Sequence, residues 1–577
     1  MTDVPSYWKC RNNNKKDAGL SKNSFFSPFL LEILAGRDIT DEEEIASFIK
    51  PSLKNLLDPM KLPGINKGIN RITKSIKENE HIIIFGDYDT DGIISAYLIF
   101  KFLKDLGMDV EVYIPDRFKE GYDLSADFLK KVSLEGNFSL VIAVDCGTNS
   151  TEAREFVRAN NSCPGVIVCD HHNQSVDFDD LGGRYIVINP KLKNSRYKFK
   201  NLSGAAVTFK FINAVLKKLD ISSKKNFRKD YLTRLLDLVS ISTIADIMPL
   251  IGENRIIVKK GLDILQETKN PGLKKIIEVA LGEKEYVDEH DIGFIIAPRL
   301  NAAGRMKNAR TSLDLLIKKG DVLDGLANEL NSFNVKRQKI QRDILDEILE
   351  KNDFNEIVSS KKIFIDKSQN WNEGVLGIVA SSIVKEFNIP AILFKETGGK
   401  LKGSGRSMDK FDLYKNLALL KDLYNSFGGH RLACGINMDV ANYKDFYENL
   451  IKIANGNLRE EDIEKEFIYD MEMKFKDINK MVLDEINLLR PFGFGNPKPV
   501  FISRNCGISG LSYLSGGKHV KLKLKQGSVV LEAIMFGINC TVKGMIEKGR
   551  EISILYRIEE NEWANKKNIQ LLISDLF

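Results

Sequence analysis

Short apolar runs alternate with amphipathic stretches between residues 81 and 190, and this pattern predicts a parallel, doubly wound sheet. The apolar runs have the length of buried strands, and the stretches between them have helical spacing. Strands that alternate with helices of this length are typical of an α/β fold. The predicted strands are His81–Phe85, Val110–Ile114, Ser139–Val144, Gly165–Cys169 and Tyr185–Ile188, and the predicted helices are Ile93–Leu106, Ser125–Leu134 and Ser150–Asn160.

The segments on either side of these strands are helical in pattern. Residues 25–80 contain short helical stretches interrupted by prolines, which predicts a packed helical lead-in over residues 1–75. Two apolar helices, Ala205–Leu219 and Tyr231–Ala245, follow the last predicted strand. We therefore expect a first domain over residues 76–320.

The second half of the chain begins with a highly charged helical stretch, Val322–Lys351. It predicts either a long connector between two lobes, over residues 321–355, or a plain surface helix. Residues 356–462 are again mixed and predict a second, smaller α/β domain, with strands Ile363–Ile365 and Ala391–Phe394 and a helix at Val375–Phe387.

Residues 463–577 are mostly strand-like and contain turns at glycines. Several short strands in a segment of this length suit a small β-barrel such as an OB-fold. The predicted strands are Phe467–Met473, Val520–Lys525, Val529–Phe536 and Glu551–Tyr556.

Composition restricts the location of the protein more than its function. The 85 basic residues are nearly balanced by 79 acidic ones, so the net charge of +6 permits a nucleic-acid partner without arguing for one. The seven cysteines include no CxxC pair, which suits a reducing compartment and predicts no zinc site. Residues 1–17 lack the apolar core of a signal peptide, and no apolar run is long enough to span a bilayer. We expect a soluble, cytoplasmic protein with no membrane partner.

Acidic and imidazole side chains follow three of the predicted strands directly, at the point where each strand ends. Ligands bind beyond the carboxyl ends of the strands in an open parallel sheet, so these groups should meet at one edge. A further acid stands where an apolar helix ends. These strand-end residues are Asp87, Asp89 and Asp91, then Asp145, then Asp170, His171 and His172, and the helix-end acid is Asp246.

Each of these motifs has an ordinary structural explanation when it is taken alone. The first could be a calcium loop, although position 98 holds Leu98 instead of the expected glutamate. Asp145 could cap a helix, the histidine pair could be a polar loop, and Asp246 could be a helix-terminal acid. It is much less probable that all four motifs fall at the same edge of the sheet by chance.

Acids and imidazoles gathered in this way repel one another unless they bind cations. Carboxylates favour Mg²⁺ or Mn²⁺, and imidazoles shift the preference toward Mn²⁺. Two such ions, roughly 3.5–4 Å apart, suit in-line displacement at phosphorus. The sequence therefore predicts a two-metal phosphoesterase.

Four segments resemble, in order and spacing, the motifs of the DHH phosphoesterase superfamily: Gly86–Gly92, Val144–Gly147, Asp170–His172 and Ala245–Leu250. Further segments are similar to one branch of it, the bacterial RecJ single-strand-specific exonucleases. The resemblance covers nearly the whole chain, from roughly Pro28 to the C-terminal barrel, with DHH, DHHA1 and OB-fold domains. The RecJ-like segments are Pro298–Arg305, Gly403–Ser407, Phe427–His430 and Arg490–Pro497.

The resemblance implies a set of metal ligands. Asp89 and Asp91 would each serve one ion, Asp145 would bridge both, and His171 and Asp246 would complete the second site. Many superfamily members begin the first motif with a histidine, but this chain has Phe85. Asp87 is the expected replacement ligand.

Two residues of the third motif have implied roles other than metal binding. His172 would orient the site or contact the scissile phosphate. Asp170 would act behind the ligands, where it holds an imidazole in one tautomer.

The resemblance also implies an activity. A RecJ-like enzyme would hydrolyse single-stranded DNA in the 5′→3′ direction, release 5′-mononucleotides, and act in DNA repair and recombination. A helicase or a single-strand-binding protein would be its protein partner. The alternatives are a short-oligonucleotide or cyclic-dinucleotide phosphodiesterase, a pyrophosphatase, and a catalytically inactive DNA-binding scaffold.

A second group of residues could hold the strand. Arg117 follows a predicted strand, and Arg299 and Arg305 flank a run of small residues that would let backbone approach a ligand. Ordinary surface arginines paired with acids are the competing explanation. The resemblance favours phosphate binding, and it extends this role to Asn301, to Ser404 and Arg406 in a predicted glycine-rich loop, and to Gly428, Gly429 and His430.

Lysines alternate with leucines in one predicted strand of the barrel. Period two places Lys521, Lys523 and Lys525 on one face of the strand and the leucines in the core. A basic barrel face is the usual groove for single-stranded nucleic acid. An edge strand protected by lysines is the alternative explanation.

Overall fold

The computed structural model describes residues 5–12, 26–117, 119–177, 179–219, 227–549, 551–563 and 566–577. Most of residues 1–17, which bear on the signal-peptide prediction, lie outside the described residues. The strands are β1 Trp8–Cys10, β2 Ile82–Gly86, β3 Val110–Tyr113, β4 Leu140–Val144, β5 Gly165–Cys169, β6 Tyr185–Ile188, β7 Phe364–Ser368, β8 Ala391–Thr397, β9 Lys400–Arg406, β10 Ser426–His430, β11 Ala433–Asp439, β12 Phe467–Tyr469, β13 Met471–Glu472, β14 Phe501–Leu514, β15 His519–Gln526, β16 Val529–Phe536, β17 Glu551–Trp563 and β18 Lys566–Leu576.

The helices account for most of the remaining described chain. They are α1 Pro28–Ala35, α2 Glu42–Ile49, α3 Ile65–Glu78, α4 Thr90–Asp105, α5 Ala126–Glu135, α6 Thr151–Ala159, α7 Gly204–Leu219, α8 Phe227–Arg234, α9 Leu236–Ala245, α10 Gly252–Leu265, α11 Pro271–Leu281, α12 Glu289–Asp291, α13 Ala297–Met306, α14 Arg310–Ile317, α15 Val322–Lys351, α16 Phe354–Glu356, α17 Glu373–Phe387, α18 Leu413–Ala418, α19 Tyr443–Asn457, α20 Glu460–Ile463, α21 Lys480–Leu488 and α22 Cys540–Lys548. No described helix is long and apolar enough to cross a membrane.

The first domain contains the predicted parallel sheet. Its five strands lie in the order β3-β2-β4-β5-β6, and every pair is parallel. Strands β2 and β4 are buried along their whole length, as expected for runs of branched apolar residues between two layers of helices. Ile82 and Ile84 pack with α3, α4 and α7 on one face, while Ile83 and Phe85 pack with α5 and α6 on the other.

The charged stretch after the first domain is one continuous helix, α15, which confirms the predicted connector. Its 30 residues span about 45 Å. The helix packs against α11 and α13 of the first domain and against α17 of the second. It therefore sets the distance between the two domains.

The second domain has a mixed five-stranded sheet in the order β10-β11-β9-β8-β7. The sequence prediction missed β9 and β10, which are rich in glycine, and it also missed β11. The predicted glycine-rich loop around Ser404 and Arg406 is wrong, since both residues lie on β9, and Gly428 to His430 belong to β10. A side chain at Gly403 would collide with the ring of Phe394, so close packing of the sheet explains this glycine.

The C-terminal region is a closed barrel of β14, β15, β16, β18 and β17, in which β14 pairs with β17. Helices α1 and α2 of the lead-in share a hydrophobic core with this barrel and with α21, while α3 packs on the first sheet. The lead-in thus joins the two ends of the chain. It is not an extension of the first domain alone.

Candidate metal centre and nucleic-acid interface

The first three acids lie in the turn between β2 and α4. Asp87 follows the strand, and Asp89 caps the helix by accepting hydrogen bonds from the backbone N–H groups of Asp91 and Gly92, at 2.9 and 3.0 Å. An added Cβ at Gly92 would lie 2.6 Å from the Cβ of Asp87. Glycine at this position therefore lets the turn bring the acids together.

Asp91 faces the N-terminus of a second helix, α7. Its carboxylate accepts hydrogen bonds from the N–H groups of Gly204 (2.7 Å) and Ala205 (2.8 Å), and from Oγ of Ser242 (2.5 Å). The positive end of the α7 dipole also favours a carboxylate here. These donors hold Asp91 in one orientation.

Asp145 follows β4 with a left-handed backbone, at φ 60°. Its Oδ1 atom lies 3.2 Å from Nε2 of His171, which follows β5. Nε2 of His171 also lies 3.4 Å from Asp246 Oδ2 and 3.8 Å from Asp91 Oδ2. Adjacent ligands of one octahedral ion with bonds of about 2.1 Å are about 3 Å apart, so this spacing suits a shared cation.

The side chains form two metal-sized groups that share no residue, and a third group of Asp145, His171 and His172 overlaps both. Asp87, Asp89 and Asp145 make the first, and Asp91, His171 and Asp246 make the second; within each group, one ligand atom from every residue lies within 4.8 Å of the others. Asp145 contacts His171 of the second group. It thus stands between the two groups, which is the position expected of a bridging ligand.

The electrostatics of this cluster fit divalent cations. Burial, followed by the charges of neighbouring acids, raises the pKa of the Asp87, Asp145 and Asp246 carboxyls well above the usual value. One oxygen of each, Asp87 Oδ1, Asp145 Oδ1 and Asp246 Oδ2, is buried and accepts no hydrogen bond in the described structure. Burial lowers the pKa of His171 to about 4, so its imidazole is neutral and suited to metal binding. The donor set matches Mn²⁺ or Mg²⁺.

Phe85 and Asp87 have different surroundings at the start of the first motif. The Phe85 ring is buried between Tyr113 and Phe128, with ring centroids 5.9 and 4.7 Å away. Asp87, two residues later, instead belongs to the first acidic group. This placement supports the replacement expected from the sequence.

Behind the ligands, Asp170 holds the histidine pair. It accepts hydrogen bonds from the N–H groups of His171 (2.6 Å) and Thr148 (3.0 Å) and lies 2.7 Å from Nδ1 of His172. Burial lowers the pKa of His172, but the charge of Asp170 and its hydrogen bond outweigh it and raise the pKa to about 9. Nε2 of His172 lies 3.0 Å from the Tyr122 hydroxyl, a contact that sequence reasoning missed.

Three of the predicted phosphate-binding arginines converge near the metal groups. Arg117 lies over the Tyr88 ring, 5.0 Å from its centroid, and Arg305 donates from Nη1 to the Gly374 carbonyl (3.2 Å). Burial, and then the charges of Arg117 and Arg406, lower the pKa of Arg305 to about 10, while Asp89 opposes the shift. Ser404 lies two residues from Arg406 on β9 and therefore on the same face.

Two other predicted substrate residues have structural partners instead. Arg299 donates from Nε to Asn331 Oδ1 (3.0 Å) and from Nη1 to the Ile295 carbonyl (2.7 Å). Asn301 accepts a hydrogen bond from the Thr90 N–H (2.8 Å) and so positions the start of α4.

His430 of the second domain lies close enough to Lys191 of the first for the lysine charge to act on its imidazole. Partial burial, and then the charges of Arg406, His172 and Lys191, lower the pKa of His430 at the end of β10. Side chains at Gly428 would meet open space, whereas one at Gly429 would collide with the Ala433 carbonyl. Sequence reasoning missed Lys191, although it follows β6 and obeys the same strand-end rule.

The barrel lysines alternate as predicted. Leu522 and Leu524 are in the core, and Lys523 and Lys525 are exposed, while Lys521 pairs with Glu532 at 2.9 Å. Strand β15 lies between β14 and β16 in the closed barrel. The edge-strand alternative is therefore wrong.

Three family models match the chain. They are the DHH family N-terminal domain at residues 81–243, the DHHA1 domain at residues 360–458 and the RecJ OB domain at residues 469–575.

The chain is similar to curated relatives over nearly its full length. It is 33% identical over 569 residues to the single-stranded-DNA-specific exonuclease RecJ of Bacillus subtilis, a match that covers 98% of this chain and 70% of the relative. The corresponding Escherichia coli protein is 29% identical, with 95% of this chain and 96% of the relative covered. A crystal structure of Thermus thermophilus RecJ with Mn²⁺ superposes with a TM-score of 0.80 at 25% identity, covering 95% of this chain and 76% of that one. The chain belongs to the RecJ family of single-stranded-DNA-specific exonucleases.

Proposed function

We propose that this protein is a metal-dependent exonuclease that hydrolyses single-stranded DNA from the 5′ end and releases 5′-mononucleotides in DNA repair and recombination. The position of Asp145 between two metal-sized groups is the observation that carries this proposal. A relative's crystal structure with Mn²⁺ supports the choice of a divalent cation.

The residues would divide between two ions. Asp87, Asp89 and Asp145 would hold one, and Asp91, His171 and Asp246 would hold the other, with Asp145 shared. When bound, two such ions supply a hydroxide near neutral pH and neutralise charge on the attacking and leaving oxygens.

The protein's own groups would place the phosphate. His172 carries a proton at neutral pH because Asp170 raises its pKa to about 9, so its imidazolium can donate to a non-bridging phosphate oxygen. Tyr122, 3.0 Å from Nε2 of His172, limits the positions that this ring can take. Asp170 fixes the tautomer and stays behind the reacting atoms.

The basic residues of the cleft would recognise the strand end. Arg117 and Arg406, with Ser404 beside it, offer guanidinium and hydroxyl donors for a terminal phosphate. Arg305 and His430 would complete this cleft between the first and second domains. Gly428 and Gly429 would let the strand approach β10 closely, and the barrel lysines would hold its distal part.

The experiment uses single- and double-stranded DNA labelled at either end, with Mn²⁺, Mg²⁺ or chelator. We expect mononucleotides from a 5′-labelled single strand at the earliest times, and none with chelator. Early release of mononucleotides from the 3′ label would refute the polarity, and equal activity in chelator would refute the metal requirement.

A phosphodiesterase for dinucleotides is the competing enzyme. The closed barrel disfavours it, because a dinucleotide does not need a second nucleic-acid surface. Rapid hydrolysis of dinucleotides with no activity on long strands would favour that alternative. An inactive scaffold is disfavoured because all the metal-binding acids are present.

Three finer points belong to this proposal. We expect a cytoplasmic location and a helicase or single-strand-binding protein as partner, since the enzyme needs strands that another protein exposes. Affinity purification with and without nuclease treatment would separate direct partners from proteins bridged by DNA.

We place the domain boundaries at 76–320, 321–355, 356–462 and 463–577, after a lead-in over 1–75.

A further inference from the structure

Arg337 of the connector helix is a buried cation whose hydrogen-bond partners in the described chain are neutral side-chain amides. Its residue surface is 9% exposed. Nη1 donates to Gln341 Oε1 at 3.1 Å, and Nη2 donates to Asn334 Oδ1 at 2.6 Å. No carboxylate of the described chain forms a salt bridge with it. A buried guanidinium normally has a stronger set of acceptors.

Two other buried cations of the same chain have such a set of acceptors. Arg255 donates to the backbone carbonyls of Phe48, Leu489 and Arg490, and its guanidinium lies over the Phe48 ring. Lys210 pairs with the carboxylate of Glu253. Arg337 has neither arrangement, so its charge is available to an anion.

Arg299 of α13 brings a second positive charge to the same place. It contacts Asn331, and Arg337 contacts Asn334. Residues three apart are neighbours on a helix surface, so both guanidiniums lie on one side of α15. In the described chain, Arg299 also donates only to neutral acceptors, the Asn331 amide and a backbone carbonyl.

Such a pair is costly without a counter-charge. Two like charges side by side repel, and partial burial strengthens the repulsion because solvent screens it less. After burial, the charge of Arg299 lowers the pKa of Arg337, and the charge of Arg337 is among those that lower the pKa of Arg305. The basic region at the metal centre therefore continues from Arg305 toward α15.

We propose that Arg299 and Arg337 form a second phosphate-binding subsite, beside the cleft that would hold the strand end. The unused guanidinium N–H groups would bind the phosphate, and the side-chain amides of α15 would orient them. This proposal rests on the proposed nuclease function. The phosphate could come from the bound strand or from a released 5′-mononucleotide.

The test uses the full chain with Arg299→Gln, Arg337→Gln and both changes. Arg342→Gln is the matched control, because Arg342 is exposed on the same helix. Binding of a 5′-phosphorylated 12-mer is measured in chelator over a salt series, so hydrolysis does not interfere. Inhibition of 12-mer hydrolysis by a 5′-mononucleotide is measured with Mn²⁺.

For a strand phosphate, we expect the double variant to bind the 12-mer about tenfold more weakly. The slope of log affinity against log salt should be less steep by about 0.7, the value for one lost phosphate contact on a single strand. For a released nucleotide, the inhibition constant should rise about tenfold while the slope stays unchanged. Either result supports the subsite.

Wild-type values of slope, affinity and inhibition constant in a folded double variant would overturn the subsite. If the glutamine variants do not fold, Arg337→Lys provides the same readouts, because it keeps the charge but loses the planar set of guanidinium donors. Weaker binding or weaker inhibition than wild type then supports the subsite, and wild-type values of both overturn it. A wild-type protein that binds strands but does not degrade them would instead refute the proposed function. The two failures are therefore distinguishable.

Discussion

At the scale of single residues, the metal centre consists of acids whose charges conflict. Asp87, Asp145 and Asp246 are buried near one another, and burial followed by mutual repulsion raises the pKa of each carboxyl. Bound cations would remove this repulsion, because each carboxylate is then attracted to a neighbouring positive charge. At these positions, the acids that metal binding requires therefore destabilise the metal-free protein.

Replacement of Asp145 by asparagine should lower the activity and stabilise the metal-free protein. We expect Asp145→Asn to reduce hydrolysis by roughly a thousandfold or more, because both ions lose a ligand. Without metal, the free energy of unfolding should rise by about 1 kcal/mol, since one buried like charge disappears. Nuclease assays and denaturant unfolding in chelator measure the two effects.

The control is Asp343→Asn, an equal change at an exposed position of α15. It should alter neither quantity. Mn²⁺ should raise the melting temperature of wild type and Asp343→Asn more than that of Asp145→Asn. Near-normal hydrolysis by Asp145→Asn with Mn²⁺ would contradict the bridging assignment.

Gly204 is a second residue whose role is set by a neighbour. An added Cβ would lie 2.6 Å from Asp145 Oδ1. Gly204→Ala should therefore reduce hydrolysis about tenfold or more, even though alanine favours helix by about 1 kcal/mol. Steady-state assays at saturating Mn²⁺ measure this loss.

Gly325→Ala provides the comparison, because that helical glycine has open space around its Cβ position. It should leave hydrolysis unchanged and stabilise the protein slightly. Equal activities of the two alanine variants would show that the contact with Asp145 is unimportant.

At the scale of elements, the functional groups lie at strand ends and helix starts. The first sheet delivers acids and imidazoles after β2, β4 and β5, and Lys191 after β6. The second domain delivers Arg406 from the end of β9, where a side chain at Gly377 of α17 would lie 2.8 Å from its guanidinium. Close approach of α17 and β9 thus aims Arg406 toward the cleft.

Arg406→Gln should weaken recognition of the strand end. We expect KM for a 5′-phosphorylated strand to rise about tenfold with a smaller change in kcat, because a charge-assisted contact to phosphate is lost. KM for a 5′-hydroxyl strand should change little. Kinetics on the two matched substrates measure the difference.

Arg310→Gln is the control, since Arg310 pairs with Asp314 on the surface at 2.8 Å. It should affect both substrates equally or not at all. A loss by Arg406→Gln that is the same for both substrates would argue against a terminal-phosphate contact.

At the scale of the whole molecule, three units are joined by packed helices: the first domain, the second domain and the barrel with the lead-in. The connector α15 separates the first and second domains, and the barrel joins the lead-in through a shared core. Arg255 ties this unit together, since it bonds carbonyls of Phe48 and of Leu489 and Arg490. Long strands can therefore contact surfaces that a dinucleotide cannot reach.

The barrel lysines should matter for long strands only. We expect Lys523→Gln with Lys525→Gln to reduce the salt slope for a long single strand by about 1.4, or 0.7 for each lost contact. Hydrolysis of a dinucleotide should not change. Binding in chelator across a salt series, followed by dinucleotide assays, measures both.

Lys444→Gln with Lys452→Gln removes the same charge from α19, which packs on the opposite face of the second sheet from α17. This double variant should keep the wild-type slope. An unchanged slope in the barrel variant would show that the strand does not contact the lysine face.

The parallel sheet, the connector and the alternation in β15 were predictable because each depends on a local hydrophobic period. The strand-end rule also predicted that Asp87, Asp145 and His171 would meet at one edge, because it needs no long-range information, and a helix end pointed to Asp246; these side chains do lie close together. The sequence could not identify β9 or β10, because glycines give no strand signal when they serve close packing.

Only the tertiary structure decided which side chains share a site. It brought Arg406 from β9 near the metal groups, gave Arg299 a partner on α15, and bonded Asn301 to the backbone of Thr90 between Asp89 and Asp91. It also placed Tyr122 and Lys191 near the metal centre and brought Arg299 of α13 close to Arg337 of α15. Contacts between residues far apart in the chain depend on packing of whole elements, which no local pattern records.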